Sequence, residues 1–253
     1  MSTNEPVHLF DILSTLPGSS KSWSPNTLKV RAVLNFKNVP YTQSWVSYPD
    51  IAPLMKSLDV APNETGTPYT LPAIIHKESI PTNPNGAMMD SLPIILHLDK
   101  VFPSPPLFPS GDASYAIFLA LSKVAAGMSP GIRQLVIPNV PQYLDPRGQE
   151  YFNRTRAVVF GKPLTEVRPE DPEELDGIWK SVAAESETLI KMLKGREGKK
   201  GPFFEGEQPG MDPEFFEKLM SLGDGEFKAI WEAGRPWLEG QGEEKEWPVP
   251  VSE

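Results

Sequence analysis

Pro103, Pro105, Pro106 and Pro109 fall within the nine residues 102–110. Each fixes its own φ, removes a backbone donor and pushes its predecessor towards extended chain, so no helix or inner strand can run through this stretch. The chain therefore divides here, and its 253 residues suit two modest domains. The expected organisation is a first domain over residues 5–101, a proline-rich linker over 102–111, a second domain over 112–241 and an acidic tail over 242–253.

Patterning differs on the two sides of the linker. Before it, Val7–Ile12 is a short β-prone run followed by a polar loop with Pro17 and Gly18. Residues 25–37 place Leu28, Val30, Val33, Leu34 and Phe36 near helical spacing. Ser24 is a preferred N-cap residue and Pro25 suits the first turn, so a helix is predicted to start there. Lys29, Arg31 and Lys37 are assigned to its solvent face. Residues 41–46 read as a second strand, 50–58 as a short helix, 70–75 as a third strand, 86–90 as a fourth and 91–101 as a helix. Pro72 must lie at the start of its strand or beside a functional gap, because an inner strand would lose a ladder hydrogen bond there. A cis bond at Pro72 is compatible with that placement. After the linker, residues 112–128, 147–160 and 173–193 read as helices. The fold class is an α/β first domain followed by an all-α second domain.

Composition removes several functions. With 33 acidic against 24 basic residues the net charge is −9, and no segregated basic patch offsets it, so a nucleic-acid partner is not expected. The absence of cysteine excludes disulfides, a thiolate metal site and a cysteine nucleophile, and any thiol chemistry must use a thiol brought by a ligand. His8, His76 and His97 are far apart and show no ligand spacing, so no metal is expected, and His97 reads as a packing residue. Residues 195–201 carry glycine and lysine without the phosphate-loop pattern and read as a charged turn. No segment reads as a secretory signal or membrane span, and the expected location is the cytosol.

Three local motifs, in order and spacing, resemble the soluble glutathione transferases. They are Ser22-Trp23-Ser24-Pro25-Asn26 opening a helix, Tyr69-Thr70-Leu71-Pro72-Ala73, and Met89-Asp90-Ser91 opening another helix. The Asn35-Phe36-Lys37 helix end, Arg154-Thr155-Arg156 and Phe160-Gly161-Lys162-Pro163 further resemble the fungus-specific class A, related to the etherase-like group. The resemblance implies a thioredoxin-like first domain, glutathione as cosubstrate and a homodimer. It implies that Ser24, or Ser22 if the loop register is shifted, hydrogen-bonds the glutathione sulfur. A free thiol has a pKa of about 8.5, and a hydroxyl donor at a helix N-terminus favours the anion. Leu71, before the cis Pro72, would offer its backbone to the cysteinyl unit, and Asp90 and Ser91 would hold the γ-glutamyl amino and carboxylate groups. For Ser24, Pro72 and the Asp90–Ser91 pair, plain capping or an edge-strand proline explains the same residues taken singly. Tyr115, Phe118 and the region 143–160 are candidates for an aromatic acceptor pocket. A non-catalytic carrier of glutathione conjugates or aromatic compounds is the alternative, and a regulatory protein using residues 209–222 as a partner surface is a third reading. Residues 209–219 lack the capping box and long apolar run with which the family opens its central helix, so either a segment is lost and the domain repacks, or a helix spanning 212–222 substitutes for it.

Overall fold

A computed structural model describes residues 5–194, 218, 220–223 and 225–250 of the chain. The charged turn at 195–201 and most of the 209–222 segment lie outside the described residues. The first domain is built on a sheet in the order β4-β3-β1-β2-β5. Strand β1 (Val7–Ile12) runs parallel to β2 (Tyr41–Val46) across helix α1 (Pro25–Phe36). Strand β3 (Ala73–Ile75) is antiparallel to β1, and β4 (Ala87–Met89) to β3. Helix α2 (Ile51–Ser57) precedes β3, and α3 (Ser91–Val101) follows β4.

Alternation along the strands sorts the core into two layers. Phe10, Ile12, Val46, Ala73 and Ile75 pack with Ile51, Leu54 and Met55 of α2. Val7, Leu9 and Ile74 pack with Val30 and Leu34 of α1 and Ile94 and Leu98 of α3. β3 starts at Ala73 rather than at Thr70, because Pro72 has no N–H for the ladder; the Leu71–Pro72 bond is cis.

The second domain contains α4 (Asp112–Gly127), α5 (Ser129–Val136), α6 (Pro146–Phe160), α7 (Pro172–Lys194) and α8 (Glu226–Glu239). Leu121, Leu135, Trp179, Val182 and Leu189 form its core. It docks on the first domain through Val140, Tyr143, Leu144 and Phe152, which join the α2-side layer. Polar contacts fix the docking angle. Arg147 grips Asp50 with two hydrogen bonds of 2.8 and 2.6 Å, and Ser47 donates to Asp145, which also caps α6 at Gly148 N–H.

Two expectations are corrected here. Arg31 and Lys37 do not face solvent: both are buried. The Lys37 ammonium is charge-paired with Asp99 at 2.6 Å and donates to the Phe102 and Pro105 carbonyls at 2.8 and 2.7 Å, which pins the start of the linker to α1. Arg31 donates to the carbonyls of Ser19 and Leu238. Helical spacing cannot reveal a cation whose partners are carbonyls arriving from elsewhere in the chain. Residues 242–250 of the expected acidic tail likewise pack on the first domain. Glu243–Glu244 form β5, parallel to β2, Lys245 N–H donates to Gln43 at 2.9 Å, and Trp247 packs on His8 and Phe10 with ring centroids 4.7 and 5.3 Å away.

Candidate functional site

Sheet topology brings the three motifs to one end of the first domain. β1 ends at Ile12 and feeds the loop that leads to Ser24 and the N-terminus of α1. Because β3 is antiparallel to β1 with Ala73 opposite Phe10, Leu71 and Pro72 lie at that same end. Met89 pairs with Ala73, so Asp90 and Ser91 follow at that end as well. Direct bonds join the last two motifs: Asp90 N–H donates to the Pro72 carbonyl at 3.1 Å, and Thr70 Oγ1 donates to Asp90 Oδ1 at 2.7 Å.

Ser24 is the N-cap of α1, in extended conformation, and its carbonyl accepts from Leu28 N–H at 2.9 Å and from Thr27 Oγ1 at 3.0 Å. Its hydroxyl makes no cap hydrogen bond. The side chain most favoured as a cap thus leaves its hydroxyl uncommitted to the helix it opens. Ser22 differs. It is fully buried and donates to Asp11 Oδ2, which also accepts from Gln43 Nε2 at 3.1 Å, while Ile12 N–H donates to Asp11 Oδ1 at 2.7 Å. Burial raises the Asp11 carboxyl pKa, opposed by hydrogen bonds from Ser22, Thr27 and Ile12 and by the Arg31 charge. Ser22 is thereby a tether of the loop.

Leu71 is buried and precedes the ladder, which leaves its backbone N–H and C=O outside the sheet pairing. Asp90 has φ 75° and ψ 132°, a conformation that L-residues avoid, at the N-cap of α3. Ser91 occupies the first helical position, half-buried, where the unpaired N–H groups of the first turn gather.

Trp23, from the first motif, and Tyr143, from the second domain, complete the surroundings. Trp23 is buried, its Nε1 has no hydrogen-bond partner among the described residues, and its ring meets Tyr143 edge-on at 5.4 Å. Thr15 N–H donates to the Tyr143 carbonyl at 2.8 Å, so Tyr143 closes the second domain against the loop. Burial raises the Tyr143 pKa to about 12 and keeps it a neutral donor. Within the proposed pocket region only this end meets the Ser24 loop by a ring contact on Trp23, whereas Tyr115 and Phe118 pack on Phe108 of the linker at 5.3 and 5.9 Å. Asp11 carried a readable signal, a carboxylate within a strand that is apolar apart from it and His8. Trp23 and Thr70 lie inside the motifs, but nothing local marked either as a site residue. His76 and His97, distant in the chain, both meet the Ser79 hydroxyl, away from the three motifs.

Comparison with known proteins agrees with this fold. The profile of the glutathione S-transferase N-terminal domain matches residues 20–106, and that of the C-terminal domain residues 117–212. The chain is 54% identical, over 97% of its length and 95% of the relative's, to the glutathione S-transferase-like protein ustS of Aspergillus flavus. Among solved structures, a glutathione S-transferase of Ceriporiopsis subvermispora in complex with glutathione is 26% identical with a TM-score of 0.77, covering 92% of this chain and 98% of that one. GSTFuA3 of Phanerochaete chrysosporium is 27% identical with a TM-score of 0.73, covering 92% and 97%. With both family domains matched in order and a relative sharing more than half its residues over nearly the whole length, the chain belongs to the glutathione S-transferase family.

Proposed function

We propose that this is a serine-type, cytosolic, homodimeric glutathione transferase that conjugates glutathione to small aromatic electrophiles, or uses it to cleave them, in the manner of the fungus-specific class A. The observation that carries the proposal is the contrast between Ser24, whose hydroxyl makes no cap bond at the N-terminus of α1, and the neighbouring Ser22, already bound to Asp11. Ser24 donates to the glutathione sulfur and, with the helix dipole, stabilises the thiolate without itself ionising. The thiolate attacks the electrophilic carbon, the C–S bond forms and the leaving group departs with the electron pair of its bond to that carbon. Leu71 pairs with the cysteinyl backbone, Asp90 takes the γ-glutamyl amino group, and Ser91 with its N–H takes the carboxylate. The similarity to GSTFuA3 supports the class, and the glutathione-bound relative supports the cosubstrate. Aromatic residues beside the loop, Trp23 and Tyr143, suit a flat apolar acceptor.

Calorimetric titration with glutathione, paired with turnover of a panel of aryl halides, aryl ethers and hydroperoxides, tests the reading in the native chain and in Ser24→Ala. Binding together with turnover that falls in the variant supports it. Binding without turnover in either protein replaces it with the carrier reading, and absence of binding removes its basis.

A further inference from the structure

The 3-10 turn Gly18–Lys21, which leads into Ser24, is held from outside by the C-terminal end of the chain. Gln241 Nε2 donates to the Gly18 carbonyl at 2.6 Å. Lys21 Nζ lies 3.1 Å from Glu244 Oε1 and 4.4 Å from the centroid of the Trp45 ring, and Trp45 Nε1 donates to that same Glu244 oxygen at 2.9 Å. Beneath them the fully buried Arg31 guanidinium donates to the Ser19 carbonyl at 3.4 Å and to the Leu238 carbonyl, and so ties the loop to the end of α8.

The segment that makes these contacts is itself fixed to the first domain. β5 is paired to β2, Asn35 Nδ2 donates to the Gly240 carbonyl at 3.0 Å, and Ser44 Oγ donates to the Lys245 carbonyl. An exposed ion pair alone would contribute little, and Lys21–Glu244 is partly exposed. What distinguishes this arrangement is that two of its donors take loop carbonyls, Gly18 and Ser19, and so fix the backbone path directly. The other end of the loop is held by Ser14 Oγ, which donates to the Lys21 carbonyl at 2.8 Å, and by Ser22 on Asp11.

We propose that residues 238–245 form a strap that positions the loop carrying Ser24, with Arg31, Lys21 and Gln241 as positioning residues. Its catalytic consequence rests on the reading of Ser24 as the hydroxyl that meets the glutathione sulfur. A donor serves a developing or resident thiolate only when held within about 0.5 Å of its productive place, which a free loop cannot do.

The test uses the full chain, native and as Lys21→Met/Gln241→Ala, two substitutions away from the buried Arg31, with Lys21→Arg as the conservative variant. Amide hydrogen exchange of residues 14–24 without ligand should be at least ~10-fold faster in the double variant and near native in Lys21→Arg, while β1 and α3 exchange as before. The apparent pKa of bound glutathione, read from thiolate absorbance, should rise by roughly half a unit, and kcat should fall ~3- to 10-fold with a smaller change in KM. Unchanged loop exchange overturns the strap. Faster exchange with an unchanged thiol pKa and kcat overturns its positioning role. If the native chain binds no glutathione, the Ser24 reading fails by itself, and the exchange rates alone decide whether the strap holds the loop.

Discussion

Ser22 donates its hydroxyl proton to Asp11 inside the first domain, while Ser24, two residues further on, leaves its own hydroxyl free of any cap bond. The two serines should therefore separate stability from activity. Ser22→Ala removes a donor from a fully buried carboxylate, a change that costs about 1–3 kcal/mol. Ser24→Ala removes no cap bond and should alter stability by less than about 0.5 kcal/mol. Turnover should behave in the opposite way, falling ~100-fold in Ser24→Ala through loss of a donor to the reacting atom. Urea unfolding and steady-state kinetics on both variants check this, and a Ser24→Ala protein with full turnover would remove Ser24 from the mechanism.

Asp90 offers a second separation. Its carboxylate accepts from Thr70, and asparagine matches its shape at this positive φ. Asp90→Asn keeps an acceptor for Thr70 and removes the charge. Stability should stay within about 0.5 kcal/mol. Glutathione affinity should drop ~10-fold, as a charge-assisted bond to the α-amino group becomes a neutral one. Calorimetry on the variant decides, and equal affinity would place the amino group elsewhere.

Much of this was legible in the sequence where local chemistry and tertiary demand agree. The bounds of β1, β2 and α3, the start of α1 at Ser24 and the placing of Pro72 at the head of its strand all follow from spacing, caps and the missing proline N–H. Where partners come from distant chain, local pattern points the wrong way. Arg31 and Lys37 carry charges that pattern reading places outside, yet carbonyls of Ser19, Leu238, Phe102 and Pro105 draw them in. Helix α8 went unread because Pro236 lies inside it, and α5 because it is short and follows α4 almost at once. The acidic composition of 242–250 concealed Trp247, whose packing on Phe10 makes that stretch part of the first domain.

Lys37 carries the next prediction. Its ammonium is fully buried, bound to Asp99 and to two linker carbonyls, and Asp99 Oδ1 also accepts Leu107 N–H at 2.9 Å. Lys37→Met leaves Asp99 without its counter-charge and two carbonyls without a donor, and should lower stability by about 3 kcal/mol. Adding Asp99→Asn should recover part of that loss, because the uncompensated charge is gone. The urea midpoints of the single and double variants give the answer. A single variant as stable as the native chain would show that Lys37 does not hold the linker.

Stability should also fall with acidification, through His8. Burial first, and then the nearby Lys245 charge, lower its pKa from 6.5 to about 4. Its Nδ1 meets Thr42 Oγ1 at 2.7 Å, and its Nε2 is buried without a partner among the described residues. The folded state therefore keeps the imidazole neutral, while the unfolded chain binds a proton as pH drops below about 6.5. The stabilisation is complete above that value and is lost between about pH 6.5 and 4, with a total of about 3 kcal/mol for this group. His76 and His97, also lowered by burial, add slopes of the same sign. The contribution of His8 is thus read from a difference: urea unfolding at pH 7.5 and pH 5 for the native chain and for His8→Gln, which keeps a polar group for Thr42. The variant should lose less stability across that interval than the native chain does. Equal losses in both would show that His8 binds its proton equally well folded and unfolded, in contradiction to its burial beneath Trp247.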